Sequence, residues 1–336
     1  AIVMPKLIAS YPTSLRASAV KVTAPVEITS YSKDATENIT IPASRIRLYK
    51  KPQLPYDLNV GIVDYVAKKE AKVTLEPVLR ALSQAQFSMS RSCEFVSYRN
   101  NLNKIMETPY NNKDPWKIKL RKESSVIYMD VVKLEETSSQ SPRSMRKFQY
   151  WGYKFEDACT SGAGDQSHVD ANEEYCSVFK ISIGDNKLVL AAEMDCIEPE
   201  DEGQREHGSA GNRRYVEIKT SRVMTHPKQH TTFQRFKLLK FWIQSFLGGV
   251  GKIVCGFRDD DGQVQEVKEF KTLEIPRMVR GKPNMWDPNV CLKFTEELLT
   301  NLKKSVKENS SYELVYEPRQ EEVRLFEIDP DATKRH

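Results

Sequence analysis

No run of about 18 consecutive apolar residues occurs in the 336-residue chain, so the sequence offers no membrane-spanning helix. The first residues, Ala1 to Ala19, also lack the apolar centre of a signal peptide, and the chain is expected to work inside the cell. Cysteine is sparse and scattered. Cys93, Cys159, Cys176, Cys196, Cys255 and Cys291 form no C-x-x-C pair, which argues against a disulfide framework and a structural zinc site. Histidine is scarcer still, with five residues. His226 and His230 stand one helical turn apart, but Pro227 between them makes a metal-binding helix face a poor expectation. Charge of one sign is lacking too: 51 basic against 46 acidic side chains leave +5, which permits a polyanionic ligand without demanding one.

What is present is the composition of a globular protein with a core: 39% hydrophobic residues and 29% charged residues of both signs. There is no internal repeat and no clean linker, so the reading is one domain over residues 1–336. Residues 1–60, rich in Pro, Ser and Thr, are read as a wrapping segment of turns and edge strands. Helices are expected near Val73–Leu82 and near Cys93–Glu107, where Phe95, Leu102, Ile105 and Met106 make an apolar stripe. Ile118–Leu120 and Val126–Val132 read as strands, and Ser138–Ser144 as a polar loop.

The second half is patterned more clearly. Tyr175–Ile183 and Leu188–Ile197 read as a hairpin turned at Gly184-Asp185-Asn186, followed by a strand at Arg214–Thr220. Thr231–Leu247 reads as a helix ended by Gly248-Gly249. Lys252–Phe257 and Gln263–Phe270 make a hairpin across Asp259–Gly262, and Glu313–Tyr316 and Val323–Ile328 another. Asp287-Pro288 opens a long helix through Val306, with Asp as N-cap and Pro at the first helical position. These elements give an α+β class: mixed, largely antiparallel sheets flanked by helices.

The candidate chemistry lies on two strands. If Leu188–Ile197 is one strand, Glu193 and Asp195 share a face, about 7 Å apart. Tyr215, Glu217 and Lys219 share a face of the next strand. Pairing of the two strands as a hairpin brings Glu193, Asp195, Glu217 and Lys219 together. Three crowded carboxylates repel one another unless a cation neutralises them, and hard oxygen donors suit magnesium or manganese. Each pair alone is more often just solvated surface; their succession on adjacent apolar strands is what singles them out. E-x-D followed by E-x-K is the logic of PD-(D/E)xK nucleases.

In this order the motifs resemble the DXO family of RNA 5′-end decapping enzymes. The resemblance rests on GYKFE at Gly152–Glu156, EMD at Glu193–Asp195, EIK at Glu217–Lys219 and FWIQSFLGG around Gln244. YRNNLNKIMETPY, with Arg99, is similar to that family's arginine-bearing helix; KPQLPYDLNVGI, EPVLRAL and KIVCGFRDDDG extend the likeness over most of residues 45–330. The wording is most similar to the fungal nuclear members, which partner a large 5′–3′ exoribonuclease.

The resemblance implies a role at each position. Glu193, Asp195, Glu217 and the Ile218 carbonyl hold divalent ions, two in number, and Glu156 acts on the metal directly or through its water. Lys219 and Gln244 position the attacking water or the scissile phosphate, and Arg99 grips the RNA 5′ phosphates. Lys237 and Lys240 are weighed as RNA phosphate contacts, and Tyr150, Trp151 and Tyr153 as base-stacking rings; solvated helix charge and packing are the plainer readings. Trp286 reads as exposed and carries nothing. The implied activity is hydrolysis at RNA 5′ ends: 5′-triphosphates, unmethylated caps, NAD caps or 5′–3′ trimming, in the nucleus. Two alternatives stand beside it: a mainly stabilising partner of the exoribonuclease, and a DNA nuclease of the PD-(D/E)xK class.

Overall fold

The computed structural model describes residues 3–8, 19–44, 46–69, 73–134, 142–161, 169–199 and 214–328. Five short strands come first: β1 (Val3–Ile8), β2 (Val26–Lys33), β3 (Ile39–Thr40), β4 (Leu48–Tyr49) and β5 (Tyr56–Asp57). Then follow α1 (Glu76–Gln84), α2 (Met89–Ser92), β6 (Phe95–Tyr98), α3 (Arg99–Glu107), β7 (Trp116–Glu123) and β8 (Val126–Val131). The middle of the chain holds α4 (Pro142–Ala158), β9 (Thr160–Ser161), β10 (Glu174–Ile183), β11 (Asn186–Glu193), β12 (Cys196–Ile197) and β13 (Tyr215–Arg222). The last third holds α5 (Pro227–Thr232), α6 (Leu238–Gly248), β14 (Lys252–Arg258) and β15 (Gln263–Lys271). It closes with α7 (Ile275–Val279), α8 (Pro288–Ser305), β16 (Ser311–Glu317) and β17 (Glu322–Ile328).

Among the described residues these strands make two sheets. The larger has the order β1-β17-β16-β7-β8-β6-β11-β10-β2-β3, the smaller β5-β15-β14-β13-β12-β4-β9. Most neighbours are antiparallel; β6 lies parallel between β8 and β11, and β13–β14 and β12–β4 are parallel too. This is the α+β architecture that the element pattern predicts. The segment from Val26 to Asp57 gives strands to both sheets.

The core follows from strand alternation. In β11, Leu188, Leu190 and Ala192 enter one apolar cluster while Val189 and Ala191 enter another on the opposite face. In β13, Val216 and Ile218 pack beneath α4 with Tyr150, Trp151 and Phe155. Tyr215, on the other face, joins the largest cluster. α8 begins as its sequence dictates, with the Asp287 carboxylate accepting from the Asn289 N–H at 2.8 Å and Pro288 in the first turn.

Several expected elements shift. Residues 95–98 of the expected helix at Cys93–Glu107 form β6 instead, because Phe95, Val96 and Ser97 are buried on both faces in the middle of a sheet; the helix begins at Arg99. The helix expected from Thr231 begins at Pro227, capped by His226 and Gln229, and passes through a π-helical turn at Phe233–Lys237 before α6. The helix expected at Val73–Leu82 runs over Glu76–Gln84. Of the expected loop at Ser138–Ser144, residues 138–141 lie outside the described residues, and α4 already starts at Pro142. Trp286 is buried, stacked on Trp242 at 5.3 Å, with its indole N–H donating to the Gln234 carbonyl at 2.9 Å.

Candidate metal centre

The expected strand Leu188–Ile197 is two strands in two different sheets. Glu193 ends β11 in the larger sheet, and Cys196 and Ile197 form β12 in the smaller one. The Met194 N–H still donates to the Tyr175 carbonyl at 2.9 Å, but Asp195 turns its carboxylate across to the Ile218 N–H at 2.7 Å. From there the chain pairs with β13, Cys196 opposite Val216 and Ile197 opposite Tyr215. The long hairpin predicted between the two acidic strands therefore shrinks to a two-residue pairing. The acids converge because the chain changes sheets between them.

Glu217, on β13, is the buried centre of this crossing, 2% exposed. Its Oε1 accepts from the Lys219 ammonium and from the Gln244 amide, the latter at 2.5 Å. Its Oε2 is buried and receives no hydrogen bond; Arg99 Nη2 stands 3.9 Å away. Arg99 itself is buried at the start of α3. Its Nη1 donates to the Gln244 carbonyl at 3.2 Å and its Nη2 to the Glu193 carbonyl at 3.1 Å. One guanidinium thus ties α3, β11 and α6 together behind Glu217. The structure places Arg99 in the inner wall of the site, with two of its nitrogens committed to backbone.

Glu156 reaches the cluster from α4. That helix is seated by Phe155, whose ring packs on Gly256 of β14. Burial, followed by the Asp195 charge, pushes the Glu156 carboxyl well above the usual carboxylate range, against the pull of Lys219. Burial and the charge of Glu217 push Asp195 up to about 7. Glu193 is also raised, by the protein packed around it, although its side chain remains 44% exposed to the cleft. Burial alone lowers the Lys219 pKa, yet Glu217 and Asp195 more than offset it and hold the lysine above its ordinary value. Lys219 is therefore a fixed cation, suited to donate to an anion and unsuited to act as a base.

A cleft of about 420 Å³ opens onto Glu156, Glu193 and Asp195, with Tyr153, Lys33 and Arg47 in its walls. Gln244 and Lys240 line a second cavity of about 310 Å³ with Asn100 and Asn103 of α3. Lys240 pairs with Glu107 at 3.4 Å. Lys237 turns elsewhere and donates to the Ser221 hydroxyl at 3.0 Å. Tyr150 and Trp151 are buried on the face of α4 turned to β13, so packing is their role, and only Tyr153 of the three lines the cleft. Lys68 and Glu174 went unsingled by sequence reasoning. Lys68 donates to Glu193 at 3.3 Å and pairs with Glu174 at 2.8 Å. In sequence, Lys68-Lys69-Glu70 and Glu173-Glu174 look like solvated charge runs, and only the fold brings them to the cluster.

The residues fit a divalent ion by their chemistry. The buried Glu217 Oε2 receives no hydrogen bond and has the Arg99 guanidinium only at 3.9 Å, so an oxygen there is left for a cation, and the neighbouring acid and carbonyl groups offer hard oxygens. Among the described residues no three acidic groups yet close on one point. Lys219, Lys68 and the Ile218 N–H each hold one of them instead.

Comparison with known proteins places the chain in a family. The chain is 35% identical over 321 residues to the fission yeast (Schizosaccharomyces pombe) protein named decapping nuclease din1, covering 86% of this chain and 89% of that one. The crystal structure of S. pombe Rai1 in complex with 3′-FADP superposes with a TM-score of 0.82 at 33% identity, over 97% of this chain and 100% of that one. Candida albicans Rai1 in complex with pU5-Mn2+ gives 0.83 at 25% identity, over 98% and 95%. The pattern described as RAI1 like PD-(D/E)XK nuclease matches residues 23–336, so the chain belongs to the family of RAI1-like PD-(D/E)XK nucleases.

Proposed function

We propose that this chain is a divalent-metal-dependent hydrolase acting on RNA 5′ ends. The observation that carries the reading is Glu217, with one oxygen held by Lys219 and Gln244 and the other buried without a donor at the crossing of two sheets. The name of the S. pombe relative, a decapping nuclease, and the RNA and manganese bound by the C. albicans relative agree with it.

Glu156, Glu193, Asp195, Glu217 and the Ile218 carbonyl are the proposed ligands. One or two magnesium or manganese ions there supply a Lewis acid and an acidified water. Lys219, kept as an ammonium, donates to a phosphate oxygen and offsets the charge that develops on it. The Gln244 amide, which donates to Glu217 while its backbone carbonyl accepts from Arg99, orients the water or the scissile phosphate. Glu156, at the cleft beside Asp195, acts on the metal directly or through its water. Arg99 acts on a 5′ phosphate chiefly through its charge, since Nη1 and Nη2 are bonded to backbone.

Triphosphate removal, release of unmethylated or NAD caps and 5′–3′ trimming all draw on this one centre. Residues 1–336 act as one catalytic domain, its N-terminal strands wrapped into both sheets. Likeness to fungal nuclear members supports a heterodimer with a large 5′–3′ exoribonuclease and a place in the nucleus. Among the described residues no helix is long and apolar enough to cross a membrane. The test is incubation of 5′-triphosphate, GpppN-capped, NAD-capped and 5′-monophosphate RNAs with the protein and manganese, with analysis of products. Turnover of one or more 5′ ends is expected; failure on all four, with cleavage of DNA, would assign the centre to the DNA-nuclease alternative.

A further inference from the structure

Two lysines hold the acid cluster, and they are placed differently. Lys219 lies inside it on Glu217, while Lys68 stands at the edge, 39% exposed, between two carboxylates. Its ammonium is 2.8 Å from Glu174 and 3.3 Å from Glu193, so the tighter contact is to the residue outside the catalytic cluster. Glu174 is held a second time, by Lys33 at 3.5 Å. Glu193 presents its carboxylate to the cleft, 44% exposed. The Lys68–Glu193 pair is thus partly solvated, the longer of the two contacts, and one that Lys68 can leave without losing its other acid partner.

From this geometry we infer that Lys68 is a displaceable counter-ion of Glu193, occupying in the metal-free protein the charge position that a divalent ion takes on binding, and giving up Glu193 while keeping Glu174 when the ion arrives. The inference rests on Glu193 being a metal ligand. Lys68 offsets part of the charge of Glu193 in the metal-free protein, and in doing so competes with the ion for the same carboxylate. It is a positioning residue, acting on the ion through Glu193.

The consequence is a trade between apo stability and metal affinity. Removing the ammonium leaves Glu193 unpaired and the cluster more repulsive, so the metal-free protein melts lower. The same change removes a competitor and a like charge beside the ion, so manganese binds about fivefold more tightly.

The experiment is calorimetric titration of manganese into the wild type, Lys68→Met, Lys68→Arg and Glu193→Gln, with melting curves of each without metal. Lys68→Met is expected to bind manganese more tightly and melt lower, Lys68→Arg to stay close to wild type, and Glu193→Gln to bind weakly. If Glu193→Gln weakens binding but Lys68→Met binds as the wild type or worse, the exchange is overturned and the Glu193 assignment stands. If Glu193→Gln binds manganese as tightly as the wild type, the ligand assignment fails and this inference falls with it.

Discussion

The ring of Phe155 lies so close over Gly256 that a Cβ at that glycine would stand 2.6 Å from the ring. This contact sets the height of α4 above β14, and Glu156 is the next residue along the helix. Gly256→Ala is therefore expected to lift or tilt α4 and cost about 1–3 kcal/mol, the usual range for overpacking a tight core. Turnover on RNA 5′ ends should fall further than stability alone accounts for, because Glu156 moves with the helix. Melting and kcat measured together check this; wild-type kcat in a destabilised variant would separate Phe155 seating from the site.

Arg99 yields a test of binding against scaffolding. Arg99→Ala should lower use of every substrate, since it frees the Gln244 and Glu193 carbonyls, with the larger fall on 5′-monophosphate over 5′-hydroxyl RNA. Equal falls would assign the residue to the scaffold alone. Gly248→Ala approaches the same question without removing charge: its Cβ would lie 2.6 Å from Nη1, displacing the guanidinium. Its loss of activity should resemble that of Arg99→Ala.

The carboxyl groups predict a pH dependence. Asp195 is raised to about 7 by burial and then by Glu217, and Glu193 and Glu156 are raised as well. A carboxyl with a raised folded pKa contributes stability fully below its unfolded value, about 4, and loses it as pH climbs through the folded value. Metal-free protein should thus lose stability from these groups as pH rises from about 4 to about 7, and the slope should be shallower in Asp195→Asn. Manganese binding near pH 7 should release protons, seen as a heat that varies with the buffer. Identical slopes for the variant and the wild type would contradict the assignment.

Much of this was legible in the sequence because local rules decide it. The N-cap and proline of α8, the β10–β11 turn and the alternation along β11 and β13 depend on neighbours within a few residues. Glu193, Asp195, Glu217 and Lys219 also stood out as two short motifs, whereas Glu156 and Gln244 were singled out only by the family resemblance. What could not be read locally was pairing. Glu193 and Asp195 look like one strand, yet the sheet change between them is set by Asp195 reaching Ile218 and by β4 waiting beside β12. β6 looks helical because both of its faces are buried and it shows no strand alternation. Lys68 gave no signal at all, since its partners lie 106 and 125 positions further along the chain.

Glu217 carries the central claim most directly. Glu217→Ala removes the one buried carboxylate that meets Lys219, Gln244 and Arg99, and relieves repulsion within the cluster. Turnover of 5′-triphosphate RNA with manganese, measured for this variant beside the wild type with metal-free melting curves for both, is the decisive comparison. The account predicts no measurable turnover with a fold as stable as the wild type or slightly more so. Wild-type turnover by Glu217→Ala would contradict it.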